Sequence, residues 1–227
     1  MEIRTENVSI PGGTPGLSGY LAQPAGAAPC PALVIVHEAY GLNDNIKAIT
    51  ERFAREGYAA LAVDLFAGRN RMMCLLRFFS AAFINALDHG AIHDLRVALT
   101  YMENLPTVDT ARLGAVGFCM GGNFAICWAC VDERLKVVAP FYAMNPRPLD
   151  AVASACPVVG SYPEKDFTAN AGRKLDAALD KYDIPHDIRI YPGATHSFFN
   201  MAKGEANEAA AQDAWTRMLS FFGERLA

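Results

Sequence analysis

The sequence predicts an α/β fold in which a mostly parallel sheet carries helices on both faces. Three observations predict it. Ala32-Leu33-Val34-Ile35-Val36-His37 is a continuous apolar run, the pattern of a strand buried on both faces. Strand-like runs alternate with helical stretches along the chain, and that alternation builds parallel sheets. No internal repeat, low-complexity tract or long linker interrupts it, so residues 1–227 read as one domain.

The elements follow in order. Ile3 to Ile10 and Leu17 to Ala22 read as strands joined by the turn Pro11-Gly12-Gly13-Thr14-Pro15-Gly16. After the strand ending at His37, Asn43 or Asp44 can cap a helix through about Glu56, and Gly57 stops it. Tyr58 to Val63 is the next buried strand, and Asp64 to Asn70 is loop. Two helical stretches come next, Arg71 to Leu87 and His89 to Asn104. Val108-Asp109-Thr110 leads into a strand through Leu113-Gly114-Ala115-Val116, with a helix behind it from Gly121 to Cys130. The pattern then repeats: strand Lys136 to Ala143, loop Asn145-Pro146-Arg147-Pro148, strand Pro157 to Tyr162 and helix Thr168 to Tyr182. Strand Asp187 to Tyr191 and a closing helix, Glu205 to Leu226, complete it; the apolar stripe of that helix suits packing on the sheet.

Composition narrows the function. The chain is 52% hydrophobic and 19% charged, an ordinary globular balance that supports a substantial core. A formal net charge of -4 supplies no global positive field for nucleic acid or an anionic membrane, and the Arg and Lys residues form no stripe. No apolar run is long enough to span a bilayer. Met-Glu-Ile-Arg-Thr-Glu at the start has no signal-peptide core, so the expected location is cytoplasmic. Cys30, Cys74, Cys119, Cys127, Cys130 and Cys156 are then expected as free thiols. Cys127-Trp-Ala-Cys130 lies on an apolar helix and reads as packing. No zinc-like spacing, Gly-x-Gly-x-x-Gly or Walker lysine is present, so no metal and no cofactor are expected. Monomer and homodimer both stay open.

The chemistry is in Gly117-Phe118-Cys119-Met120-Gly121, a buried strand running through Gly-x-Cys-x-Gly into a helix. This is the nucleophile-elbow pattern of α/β-hydrolases with cysteine in place of serine. A nucleophile on a strained turn needs small residues two before and two after it, because neighbouring chain passes close by. A thiol also needs a base, and the base an orienting acid, in the chain order nucleophile, acid, histidine. Asp166 follows the strand ending at Tyr162, and His196 follows the strand ending at Tyr191. The other histidines fail on position: His37 precedes the elbow, His89 and His93 lie on a predicted helix, and His186 stands at the wrong end of its strand. Glu164 is a local rival to Asp166. Glu38, at the end of its strand, is expected near the thiol and away from free water, where a carboxylate influences when a thiolate forms.

Together these residues carry a resemblance. His37-Glu38-Ala39-Tyr40-Gly41-Leu42-Asn43, the cysteine elbow through Gly122, and Gly193-Ala194-Thr195-His196-Ser197-Phe198 resemble the glutamate, cysteine and histidine loops of dienelactone hydrolases. The resemblance implies an α/β-hydrolase fold with an eight-stranded sheet and hydrolysis of a small-molecule enol-lactone or ester. It implies Cys119 as nucleophile, His196 as base, Asp166 as orienter and Glu38 as the thiol's regulatory partner, displaced by substrate to take the thiol proton. It places the oxyanion hole at the backbone N–H groups of Ala39 and Met120, where any side chain serves.

The departures concern the substrate. Family members that act on the chlorocatechol-pathway lactone clamp its carboxylate with two arginines and a tyrosine. Arg77 is the nearest candidate for the first arginine, with Arg69 and Arg71 as rivals; the second falls at Asn200 and the tyrosine at Ala81. Asparagine does not replace arginine's two-pronged grip. Met72 to Phe79 reads as a core-facing helix or as one wall of an apolar pocket. Phe198 and Phe199 are wall or core, and Tyr40 is a further candidate substrate contact. The expected activity is cysteine-nucleophile hydrolysis of lactone or carboxylic ester bonds. The alternatives are a thioesterase or general carboxylesterase, and a non-catalytic thiol-sensing or binding member of the fold.

Overall fold

The computed structural model describes residues 1–26, 28–72, 74, 76, 87–200 and 203–227. Eight strands form one sheet: β1 (Ile3–Ser9), β2 (Ser18–Pro24), β3 (Cys30–Val36), β4 (Ala59–Asp64), β5 (Val108–Phe118), β6 (Leu135–Phe141), β7 (Val158–Lys165) and β8 (His186–Thr195). Their order is β1-β2-β4-β3-β5-β6-β7-β8. The first two strands pair antiparallel, and β2 runs antiparallel to β4. Every pairing from β4 to β8 is parallel. The fold is that of the α/β-hydrolases.

Helices cover the two faces; those whose bounds lie among the described residues are α1 (Asp44–Arg55), α2 (Gly90–Glu103), α3 (Met120–Ala129), α4 (Ala169–Lys181) and α5 (Glu205–Arg225). Helix α1 starts where Asn43 Oδ1 accepts the Ile46 N–H at 3.0 Å, and Asn43 is the cap. It buries Ile46, Ile49, Thr50, Phe53 and Ala54, a single stripe at helical spacing. Gly57 ends the turn at φ 97°, a left-handed conformation that suits glycine. Alternation along β3 sends Val34 and Val36 into the core under α2, α3 and α4, and Leu33 and Ile35 into the core under α1 and α5. Both cores are apolar, which is why β3 reads as an unbroken hydrophobic run.

Some expectations shift. His89 stands one residue before α2 and caps it, its Nδ1 accepting the Ala91 N–H at 3.1 Å. A short 3₁₀ helix spans Leu149–Ser154, where the sequence carries no helical period. Of the predicted helix Arg71 to Leu87, residues 71, 72, 74 and 76 are helical and Leu87 is in a bend; 73, 75 and 77–86 lie outside the described residues. Among the described residues no helix is long and apolar enough to cross a membrane.

Candidate active site

The parallel strands deliver their following residues to one edge of the sheet, where functional groups of such folds gather. Glu38 follows β3, Cys119 follows β5, Tyr142 follows β6, Asp166 follows β7 and His196 follows β8. Cys119 sits at φ 52°, ψ -115°, a strained conformation for a residue with a Cβ. Its surroundings hold it there. Its N–H donates to Phe141 O at 3.0 Å, and its carbonyl accepts the Asn123 N–H at 3.1 Å. The flanking glycines make the turn sterically feasible. A Cβ on Gly117 would lie 2.2 Å from Gly121 O, and one on Gly121 would lie 2.3 Å from Val36 O.

The pairing of Asp166 with His196 follows from strand register. Pro163 pairs with Tyr191, but Lys165 pairs with Thr195, so β8 accommodates two extra residues in a bulge. Gly193, at φ 73°, lies inside it. The bulge brings Asp166 and His196 level, each one residue past the Lys165 and Thr195 pair. His196 Nδ1 bonds Asp166 Oδ2, and Asp166 Oδ1 accepts the Thr168 N–H at 2.7 Å. The Asp166 side chain is 1% exposed and that of His196 33%. The bond to Asp166 is made by Nδ1 and leaves Nε2 on the far side of the ring, and the Phe167 ring stacks on the imidazole with centroids 5.4 Å apart. Glu164, the rival acid, is spent elsewhere: its Oε2 accepts the Gly193 N–H at 3.0 Å.

Glu38 is buried at 4% exposure, and Ser197 Oγ donates to its Oε1 at 2.7 Å. Its backbone is pinned by His37. His37 Nε2 accepts the Leu65 N–H at 3.2 Å, so Nδ1 carries the proton and donates to Glu38 O at 2.6 Å. Burial pushes the His37 pKa down and keeps the ring neutral. The Ala39 N–H has no hydrogen-bond partner among the described residues.

The thiol lies in an unfavourable place for charge. Burial pushes the Cys119 pKa up to about 11, with further upward pressure from the carboxylates of Glu38 and Asp166. The Met120 N–H lies against the sulfur and pulls the other way. No hydrogen bond joins Sγ to His196. Tyr142 stands close to both: its ring centroid is 5.0 Å from that of His196, and its hydroxyl feels the charges of Glu38 and Cys119. That hydroxyl is fully buried and closes no hydrogen bond of good geometry.

A profile of the dienelactone hydrolase family matches residues 17–226. The chain belongs to the dienelactone hydrolase family. That membership makes it a carboxylic ester hydrolase. A relative from Saccharolobus solfataricus, assigned by name as a carboxymethylenebutenolidase, is 32% identical over 90% of this chain and 93% of its own length. A Synechocystis protein so assigned is 29% identical, over 100% of this chain and 99% of its own. Among solved structures, a Klebsiella pneumoniae protein assigned as a dienelactone hydrolase superposes with TM-score 0.85 at 27% identity, covering 98% of this chain and 99% of that one. A dienelactone hydrolase-like promiscuous phosphotriesterase from metagenomic libraries superposes with TM-score 0.86 at 21% identity, covering 99% of both chains, a likeness of fold alone.

Within this dienelactone hydrolase family member, the substrate candidates separate. Phe198 belongs to the core: it is 0% exposed and packs against Phe141, Tyr142 and Tyr191. Asn200 is buried, and neither amide atom has a hydrogen-bond partner among the described residues. Tyr40 is 55% exposed, with the Arg71 guanidinium 5.7 Å from its ring centroid. Arg69 is turned to the carbonyls of Phe66 and Leu65. Arg77 lies outside the described residues. Sequence reasoning missed Tyr142, Phe167 and the tether at His37. It quoted Ser197 in the histidine loop and gave it no role.

Proposed function

We propose that the protein hydrolyses lactone or carboxylic ester bonds through a thioester on Cys119. His196 is the general base and acid, Asp166 orients it, and Glu38 governs when the thiol ionises. The observation that supports this most is the levelling of Asp166 with His196 at the same sheet edge as the strained Cys119 turn. A thiol at about 11 is ionised in roughly one molecule in ten thousand at pH 7. A resting thiol of that kind argues against a standing redox sensor, which needs an exposed, low-pKa thiolate.

In the proposed reaction Sγ gives up its proton to Glu38, freed from Ser197 by the arriving substrate, or to His196. The thiolate adds to the carbonyl carbon. The oxyanion takes the N–H groups of Ala39 and Met120, each such donor worth about 100-fold in rate. Collapse forms the thioester and expels the ring or ester oxygen, which takes up the former thiol proton from His196, held there from the start or passed to it by Glu38. His196 then takes a proton from water as the water attacks the thioester; acid leaves and the thiol is restored. Tyr40 and Arg71 supply part of the rim, and Arg77 remains the candidate for a carboxylate contact.

The test is Cys119→Ala assayed on p-nitrophenyl esters, enol-lactones and acyl thioesters. The expected result is a folded protein with turnover down at least about 1,000-fold on every substrate that wild type cleaves. Near-normal turnover in that variant contradicts the assignment, and the ranking of the three substrate types in wild type identifies the bond.

A further inference from the structure

Large apolar side chains that stand in the open are unevenly placed on this molecule. Among the described residues they are Met1, Tyr40, Met72, Leu76, Met144 and Phe167. Apart from Met1 at the chain terminus, each follows a strand of the parallel sheet at the edge that carries the site: Tyr40 after β3, Met72 and Leu76 after β4, Met144 after β6 and Phe167 after β7. Single exposed apolar residues are ordinary, whereas a set gathered at one edge marks a surface that something apolar covers. The strand order divides the set. It runs β4-β3-β5-β6-β7-β8 and Cys119 follows β5, so Tyr40, Met72 and Leu76 lie to one side of the sulfur and Met144 and Phe167 to the other. Met72 and Leu76, four apart on a helical stretch, share its outer face, and Cys74 between them is turned inward. Met144 is tied to the elbow: its N–H donates to Asn123 Oδ1, and the Asn123 N–H donates to Cys119 O. Phe167 is 73% exposed although its ring stacks on His196 with an interplanar angle of 16°. With Met144, Pro146, Leu149 and polar neighbours it lines a cavity of about 300 Å³.

We propose that the two sets are walls for the two halves of the substrate, so that the enzyme favours an ester bond flanked by apolar groups on both sides. The inference rests on the hydrolytic role given to Cys119 and His196. With the carbonyl oxygen held by the Ala39 and Met120 N–H groups, the two other substituents of the carbonyl carbon leave the sulfur in different directions. The departing oxygen takes its proton from His196 and so lies against the imidazole. The carbon group beyond it runs over the open side of Phe167 toward Met144. The acyl chain runs the opposite way, past Tyr40 toward Met72 and Leu76. Each half takes exposed apolar surface of the protein out of water together with its own, and an aromatic leaving group adds ring packing on Phe167.

The test measures kcat/KM for methyl acetate, methyl butyrate, benzyl acetate and benzyl butyrate, each divided by its rate of hydrolysis by hydroxide. Wild type is expected to favour benzyl over methyl by about tenfold, and butyrate over acetate by about tenfold. Phe167→Ala lowers the benzyl preference to about twofold or less and keeps the butyrate preference. The triple variant Tyr40→Ser/Met72→Ser/Leu76→Ser does the reverse. Each preference is a ratio within one protein, so a change in the overall rate through the contact of Phe167 with His196 cancels. A wild type indifferent to either extension, or a preference that survives its own variant, overturns the proposal. Sedimentation velocity on the same proteins tests a second copy as the cover: a wild-type dimer that either variant dissociates overturns the proposal. If wild type cleaves none of the four esters, the hydrolytic reading has failed for such bonds and binding decides. The uncleaved amide N-benzylbutyramide is then expected to bind wild type about tenfold more tightly than either variant; absent or equal binding overturns the proposal.

Discussion

Cys119 and His196 stand at the same sheet edge in opposite surroundings. The thiol is half-buried beside the enclosed carboxylate of Glu38, and its pKa is pushed up to about 11, first by burial. The imidazole side chain is one-third exposed, at 33%, and its Nδ1 is already committed to a buried carboxylate. The difference teaches where control lies. In the proposed mechanism the base is oriented before substrate arrives and the nucleophile is held protonated, so the thiol side sets the rate of activation. Glu38 is, in that mechanism, the movable part of the thiol side; Ser197 Oγ donates to its carboxylate, and the buried Tyr142 hydroxyl stands close to it.

Glycine-to-alanine changes on the two sides break the comparison most strongly. On the thiol side, a Cβ at Gly121 meets backbone at 2.3 Å, and Gly121→Ala is expected to cost about 3 kcal/mol or more. On the imidazole side, the nearest atom to a Cβ at Gly193 is 3.5 Å away and only its φ of 73° is unfavourable. Gly193→Ala is therefore expected to cost about 1–2 kcal/mol. Thermal and denaturant unfolding of the pair check this; equal losses contradict a tightly packed elbow beside a tolerant bulge.

Asp166→Asn attacks the imidazole side alone. Turnover is expected to fall about 100- to 10,000-fold, since the imidazole loses its fixed tautomer and orientation. Iodoacetamide titration of Cys119 should barely move, with its midpoint shifting slightly down. A large shift in thiol reactivity would show that the two sides are not separable. Glu38→Gln sharpens the contrast from the other direction. It removes a negative charge that opposes the thiolate, so the alkylation midpoint falls below about 11. Burial is the larger cause and stays, so the midpoint remains above the ordinary thiol value. A midpoint that stays put or rises contradicts the placement of Glu38 as the thiol's governor.

Much of this was legible in the chain. The apolar run of β3 has two cores to fill, and the glycines at 117 and 121 have backbone at the distance their spacing implied. The chain order of Cys119, Asp166 and His196 selected residues at the ends of β5, β7 and β8. The levelling of Asp166 with His196 was hidden, because Pro192-Gly193 reads as a strand end while the chain continues through it as a bulge. Ser197 was hidden for another reason: its partner is 159 residues away, and no local pattern reports a contact of that span. Position excluded His37 as the base, and the structure gives it the task of pinning the Glu38 carbonyl to the end of β4. Phe198 was ambiguous because an apolar residue in a turn beside a histidine suits wall and core alike, and its packing against Phe141, Tyr142 and Tyr191 involves residues that are local neighbours only in the fold.

The most direct measurement is the chemical identity of Cys119 during turnover. The enzyme is mixed with excess p-nitrophenyl ester, acid-quenched within the first turnover, digested with trypsin and analysed by mass spectrometry. The account predicts the acyl mass on peptide 113–134, fragmenting to Cys119. Stoichiometric p-nitrophenol release with that cysteine unmodified, or with the acyl group on another residue, would contradict it.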